Sequence, residues 1–282
     1  MVRVVTDSTS DLPDDVAVRM GISVVPVVLE VDGTTYLDGV SITRQQFYSC
    51  FTSYRDVPKT ASPPLDDFLR VYRAMLTREE DEVVAVHLNK RFSSLCNVAD
   101  LAARELNVNG KRVHVVNSET VTMGLGWLTI VAAEMAANGS TAQEIIRRIE
   151  ELKPKVIVYA LIDTLKYLRK GGRANALVAG LGDILQIKIL IRVHRGEITQ
   201  IDRIRTRARG MARLVEVAHS HTKLSHLSVL STTTGAENDV TILRKQLGDL
   251  VPIDQQFTMQ VTPVIGTHVG PLALGVAMAI DV

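Results

Sequence analysis

The sequence predicts an α/β protein of two domains: an N-terminal α/β/α domain around a parallel sheet over residues 1–153, and a C-terminal mixed-sheet α/β domain over residues 154–282. Three observations carry that reading. In the first half, β-branched runs at 82–88 and 112–116 are each followed by a helix-period segment, the pattern of strands covered by crossover helices. After Lys153-Pro154, two strand-like runs flank Arg195-Gly196 and read as an antiparallel hairpin, not a crossover. A chain of 282 residues with 46 % hydrophobic content has enough apolar material for two ordinary cores.

Taken in order, residues 2–6 read as a buried strand, and Asp11-Leu12-Pro13 opens a helix with a cap residue upstream of proline. Residues 22–31 and 34–37 are strand-like and flank Asp32-Gly33, the strongest hairpin signal in the chain. A helix follows from about Thr43. The runs at 82–88 and 112–116 precede helices over about 93–106 and 122–137, the second stopped by Asn138-Gly139. In the second half, residues 156–161 form an apolar strand, then a short helix and the turn Lys170-Gly171-Gly172-Arg173. Residues 184–194 and 197–205 make the hairpin. A helix to about Thr222, a strand near 226–231, a helix near 237–247 and a strand near 256–262 follow.

The charged fraction is 22 % and the formal net charge +1, which argues against a general nucleic-acid binder and against a disordered chain. Charge is uneven, however. Residues 166–213 hold twelve Lys/Arg against three Asp/Glu, a basic belt suited to an anion or an acidic partner surface. Cys50 and Cys96 fit neither a zinc spacing nor a disulfide scaffold, and they suit a reducing cytoplasm. The start lacks the apolar core and cleavage site of a signal peptide, and the apolar stretch at 123–133 is too short to span a bilayer.

The sequence holds no G-x-S-x-G elbow, no phosphate-binding G-x-x-x-x-G-K-[ST] loop and no G-x-G-x-x-G; Gly124-Leu125-Gly126 and Gly180-Leu181-Gly182 lack the third glycine. His219 and His221 are two positions apart on a helix and face different ways, so no metal site is expected there. What the chain does hold is hydroxyl-bearing loops where open sheets bind ligands: Thr6-Asp7-Ser8-Thr9-Ser10-Asp11, Lys59-Thr60-Ala61-Ser62-Pro63-Pro64 and Asn89-Lys90-Arg91-Phe92-Ser93-Ser94. Each hydroxyl alone is more often a helix cap. Near the C-terminus, Gly266-Thr267-His268-Val269-Gly270-Pro271 reads as a loop fixing an imidazole at the mouth of an apolar pocket. Together these features favour a carboxylate or phosphate site.

The ordered set of motifs resembles the DegV family across nearly the whole chain. The matching pieces are Val5-Thr6-Asp7-Ser8-Thr9-Ser10-Asp11-Leu12-Pro13, Tyr36-Leu37-Asp38-Gly39, Lys59-Thr60-Ala61-Ser62-Pro63, Asp163-Thr164-Leu165-Lys166-Tyr167-Leu168-Arg169-Lys170-Gly171-Gly172-Arg173, Ile204-Arg205-Thr206-Arg207 and the histidine loop. The resemblance implies a two-domain DegV-like fold enclosing one long-chain fatty acid between its domains. It also implies a non-catalytic, cytoplasmic lipid carrier that presents the acyl carboxylate to a separate kinase subunit, with no other cofactor and no metal. Carried over residue by residue, carboxylate contacts fall on Thr60, Ser93 and His268, and head-group and kinase-docking arginines on Arg173 and Arg205. Ser62, Ser94 and Thr267 complete the candidate ligand set. Such a carrier also leaves a transient contact with a membrane surface open. The family's Thr-Ser-x-Pro-Ser stands here as Thr60-Ala61-Ser62-Pro63-Pro64, and its Ser-Ser-x-Leu-Ser-Gly-Thr-Tyr as Asn89-Lys90-Arg91-Phe92-Ser93-Ser94-Leu95-Cys96, so Lys90 and Arg91 stand beside a reduced hydroxyl set. The competing reading is an acyl-ester hydrolase or transferase with Ser93 as nucleophile and His268 as base, for which the sequence supplies no orienting acid.

Overall fold

A computed structural model describes residues 1–107, 110, 112–173, 187–232 and 237–281. The first half runs β1 (Val2–Asp7), α1 (Asp14–Arg19), β2 (Ser23–Val25), β3 (Val28–Val31), β4 (Thr34–Leu37), α2 (Arg44–Cys50) and β5 (Lys59–Ala61). It continues through α3 (Leu65–Met75), β6 (Glu82–His87), α4 (Leu95–Leu106), β7 (Val113–Asn117), α5 (Met123–Ala137) and α6 (Ala142–Leu152). The second half runs β8 (Val156–Ile162), α7 (Lys166–Lys170), β9 (Lys188–His194), β10 (Glu197–Ile204) and α8 (Arg207–His219). Then come β11 (Leu224–Ser231), α9 (Glu237–Leu247), β12 (Gln256–Gln260), α10 (Pro263–Val269) and β13 (Leu274–Ile280).

A parallel sheet in the order β2-β1-β6-β7 forms the N-terminal half. Alternation along its strands decides what covers each face. Val5, Val83, Ala85 and Val113 pack against Phe68 and Tyr72 of α3 and Leu95 and Ala99 of α4. Val4, Val84, Val86 and Val116 face the opposite way, toward α5 and α6. The second sheet has the order β10-β9-β8-β13-β11-β12, antiparallel except for the β11–β12 pair. Helices α8 and α9 cover its outer face through Leu214, Leu243 and Leu247. Helix α5 is buried on all sides over residues 123–130 and lies between the two sheets, as a helix segment with no solvent-facing stripe must.

Turn chemistry sets the two hairpins. Asp32 and Gly33 (φ 48° and 82°) and Arg195 and Gly196 (φ 49° and 74°) each supply the paired positive φ values of a tight two-residue turn. Thr43 and Gln46 form a capping box at α2, and Thr141 and Glu144 form another at α6.

Several expectations are corrected. Residues 22–31 do not form one strand: β2 joins the parallel sheet, and after Pro26 the chain starts β3 in a separate three-stranded sheet, β4-β3-β5. That sheet takes in Lys59–Ala61, expected as a loop. Asp11 does not cap α1, whose N-terminus has no side-chain cap; its carboxylate accepts the Thr262 amide instead. Ser62 does not cap α3 either, which starts after Pro64. The stretch at 263–269, expected as a loop, is helix α10. Pro263 occupies its first turn with φ already set, and Gly270 at φ 80° ends it. Gly266 is required inside this helix because a Cβ there would lie 2.2 Å from the Tyr48 hydroxyl. The first residues of the expected strand at 184–194, and Gly180-Leu181-Gly182, lie outside the described residues.

Candidate functional site

Between the inner face of the six-stranded sheet and the N-terminal half lies an apolar cavity. Its floor follows from strand register. Val158 pairs with Val193 and Ala160 with Ile191, so alternate residues of β8 and β9 present one continuous apolar face. Leu88 and Phe92 from the β6–α4 connection, Leu95 at the start of α4, and Val264 and Ile265 of α10 close it from the other side.

Of the polar lining side chains, Thr60, Ser93, Arg173 and His268 lie close together at one end. Antiparallel pairing of β5 with β3, with Thr60 opposite Leu29, holds the Thr60 hydroxyl 2.9 Å from His268 Nε2. Ser93 sits just before α4, where its Oγ accepts the Leu95 N–H at 3.2 Å and lies 3.3 Å from Ser62 Oγ. Ser62 Oγ is in turn 2.8 Å from Ser94 Oγ. The Arg173 guanidinium donates from Nε to the Phe92 carbonyl at 3.1 Å and from Nη1 to the Gly171 carbonyl at 2.6 Å. Gly171 also allows the imidazole its place, since a Cβ there would lie 2.5 Å from His268 Nδ1.

Burial, and next the Arg173 charge, push His268 down to about 4, so the ring is neutral near pH 7. Among the described residues its buried Nδ1 has no hydrogen-bond partner. Burial also lowers the Arg173 pKa, though guanidinium stays charged at any ordinary pH. Among the described residues no carboxylate lines the cavity, so its polar end carries one uncompensated positive charge. Such an arrangement suits an anion joined to a long apolar body.

Thr60, Ser93, Arg173 and His268 are thus brought together as cavity-lining residues, with Ser62 and Ser94 behind Ser93. Thr267 is a correction. It is fully buried, does not line the cavity, and donates its hydroxyl to the Pro263 carbonyl one helical turn back, at 3.0 Å. Arg205 is exposed beyond the end of β10 and also lies outside the cavity. Lys90 is exposed, and Arg91 pairs with Glu197 at 2.9 Å, so neither adds charge to the cavity lining. Among the described residues no hydrogen bond joins Ser93 to His268, as a nucleophile and its base would require.

Sequence reading missed a buried chain beneath this site. Tyr72 OH lies 3.0 Å from His87 Nε2, and His87 Nδ1 lies 3.0 Å from Asp7 Oδ2. The Asp7 carboxylate also accepts the Leu88 and Thr9 amides and the hydroxyl of Thr9, a cavity-lining residue. Its signal was the Thr6-Asp7-Ser8-Thr9 loop, but nothing local marks His87 as its partner.

A family model described as "Uncharacterised protein, DegV family" matches residues 1–281. A DegV domain-containing protein from Deinococcus radiodurans is 32 % identical over 283 residues, covering 98 % of each chain. Among solved structures, one described as fatty acid binding of a DegV family protein from Thermus thermophilus superposes with a TM-score of 0.87 at 28 % identity, covering 99 % of both chains. The crystal structure of DegV, a fatty acid binding protein from Bacillus subtilis, gives 0.87 at 26 % identity with the same coverage.

Proposed function

The chain belongs to the DegV family, and from that premise we propose that it holds one long-chain fatty acid between two domains, 1–153 and 154–282. In this reading it acts in the cytoplasm and presents the acyl carboxylate to a separate kinase subunit for phosphorylation, without catalysing the reaction itself. The observation that supports it is the pairing of an apolar cavity with one polar end that bears Arg173 and no acidic side chain among the described residues. The two solved relatives are described as fatty-acid-binding proteins.

Each part has a physical role. A buried acyl chain gains about 0.8 kcal/mol per CH₂ removed from water, so the tail supplies most of the affinity. The carboxylate fixes direction through the Arg173 charge and the Thr60 and Ser93 hydroxyls. A neutral His268 that carries its proton on Nε2 donates to Thr60 Oγ1 and leaves the Thr60 O–H to donate to the ligand. That tautomer leaves a bare lone pair, not an unpaired N–H, on the buried Nδ1.

Mass spectrometry of denatured, freshly purified protein tests the reading. A co-purified fatty acid at one per chain is expected. No acyl ligand, together with no binding of fluorescent fatty acids at micromolar concentration, overturns it.

A further inference from the structure

Thr122 lines the cavity and is 5 % exposed, yet its hydroxyl has no hydrogen-bond partner among the described residues. It stands immediately before α5, at the N-cap position, where a threonine hydroxyl ordinarily accepts an amide of the first turn. Here it caps nothing. The backbone gives the reason: φ 54° and ψ −146° take the residue out of the extended conformation usual at an N-cap. Positive φ is an outlier for a β-branched residue, and such conformations cluster where ligands are held. Hydrogen bonds fix it from both sides. The Thr122 N–H donates to the Thr9 carbonyl at 2.9 Å, and the Thr122 carbonyl accepts from the Gly126 N–H at 3.0 Å.

The start of α5 shares the deficit. The Gly124 amide reaches the Val121 carbonyl at 3.1 Å, but the amides of the buried residues Met123 and Leu125 have no acceptor among the described residues. A helix of fifteen residues also brings partial positive charge to this end. Neighbouring Thr9 lines the cavity too, and its hydroxyl proton is committed to Asp7. A Cβ at Gly124 would lie 3.0 Å from Val158, a residue of the cavity floor, so the first turn of α5 rests against that floor.

This polar point is separate from the head-group end. Ser93 precedes α4 and Thr122 precedes α5, and the two helices cover opposite faces of the parallel sheet. An acyl chain whose carboxylate meets Arg173, Thr60 and Ser93 therefore passes Thr122 partway along its length. Arg173 is the single Lys, Arg, Asp or Glu among the described lining residues, so the group that suits Thr122 is polar and uncharged.

We propose that the cavity takes a long-chain fatty acid with a hydroxyl partway along the chain, and that the Thr122 hydroxyl is the partner of that group. The proposal rests on the acyl-binding reading of the cavity and names the class of acid within it. A methylene beside Thr122 leaves the buried threonine hydroxyl unpaired, whereas a ligand hydroxyl there satisfies both groups. At any other depth the ligand hydroxyl enters a wall of valine, leucine and isoleucine and loses its bonds to water without replacement. The position of the hydroxyl along the chain is therefore selected, and not merely its presence.

The test is displacement of a fluorescent fatty acid from delipidated full-length protein. The competitors are octadecanoic acid and its singly hydroxylated forms, with the hydroxyl moved stepwise along the chain. In the wild type, one position should bind more tightly than the plain acid and the others more weakly. Thr122→Val should weaken the favoured acid about tenfold relative to the plain one, and Thr122→Ser should keep the preference. A plain acid that outcompetes every hydroxylated form of the wild type overturns the proposal, and this arm decides even if Thr122→Val does not fold. A water held by Thr122 in place of the ligand gives that same result. A preference that survives intact in Thr122→Val also overturns it. Binding of the plain acid without selection leaves the acyl-binding reading standing. Failure of the fluorescent probe and of every acid to bind overturns that reading and this proposal with it.

Discussion

Thr60 Oγ1 and His268 Nε2 stand 2.9 Å apart although 208 positions separate them in the chain. One partner sits in the three-stranded sheet and the other on α10, so the bond joins two regular elements and not two loops. Elements of this kind hold side chains more tightly than loops do, which is what a head-group site needs. The bond also brings the N-terminal half against the C-terminal helix at the polar end of the cavity.

Under the acyl-binding reading, replacing both hydroxyls (Thr60→Val with Ser93→Ala) weakens fatty-acid binding. Each lost hydrogen bond to the carboxylate is expected to cost about 1.5–3 kcal/mol. Displacement of a fluorescent fatty acid reads this directly. Unchanged affinity in the double variant would move the head group elsewhere.

Gly171 and Gly172 offer a paired comparison. A Cβ at Gly171 meets His268 Nδ1 at 2.5 Å and Cε1 at 2.9 Å, whereas at Gly172 it meets nothing but sits at φ 73°. Gly171→Ala should displace the imidazole and lower acyl affinity, with an overpacking cost of about 1–3 kcal/mol. Gly172→Ala should cost about 1–2 kcal/mol of backbone strain alone and leave ligand affinity unchanged. Equal affinity in the two variants argues against a His268 role in binding.

Among the described residues Asp7 is a heavily used buried carboxylate, accepting from Thr9, His87 and Leu88. Asp7→Ala strands these buried donors and should destabilise the fold by about 3–5 kcal/mol in chemical denaturation. A loss under about 1 kcal/mol would mean that the donors find other partners.

Local chemistry was legible in the sequence and distant partnership was not. Asp32-Gly33 and Arg195-Gly196 announce their hairpins because the positive φ values are a property of those residues themselves. Lys59–Ala61 is only three residues long and becomes a strand through its pairing with β3, which no local periodicity signals. The stretch at 263–271 holds two glycines and two prolines and reads as a loop until Tyr48, far upstream, is seen to occupy the space a side chain at 266 would need. Asp11 shows the limit most plainly. Beside Pro13 it has every mark of a helix cap, yet its carboxylate is taken by an amide 251 positions away. Thr60, Ser93 and His268 were named from a motif pattern, whereas the role of Gly171 in admitting the imidazole needed coordinates.

The resemblance assigns both Arg173 and Arg205 to docking, and their surroundings separate them. Arg173 is half-buried, lines the cavity and is held by two carbonyls, so Arg173→Glu would set a carboxylate against the acyl carboxylate. It should release the fatty acid whatever it does to a partner. Arg205 is exposed on the basic belt and lies outside the cavity. If the belt steers an acidic kinase face, Arg205→Glu should slow association and lessen its salt dependence while thermal midpoint and ligand content stay at wild-type values. Acyl-phosphate formation with a fatty acid kinase, measured across a salt series on ligand-loaded protein, reads the difference. Wild-type product formation by Arg205→Glu at low salt would remove Arg205 from the docking surface, and loss of ligand or stability in that variant would make it a structural residue instead.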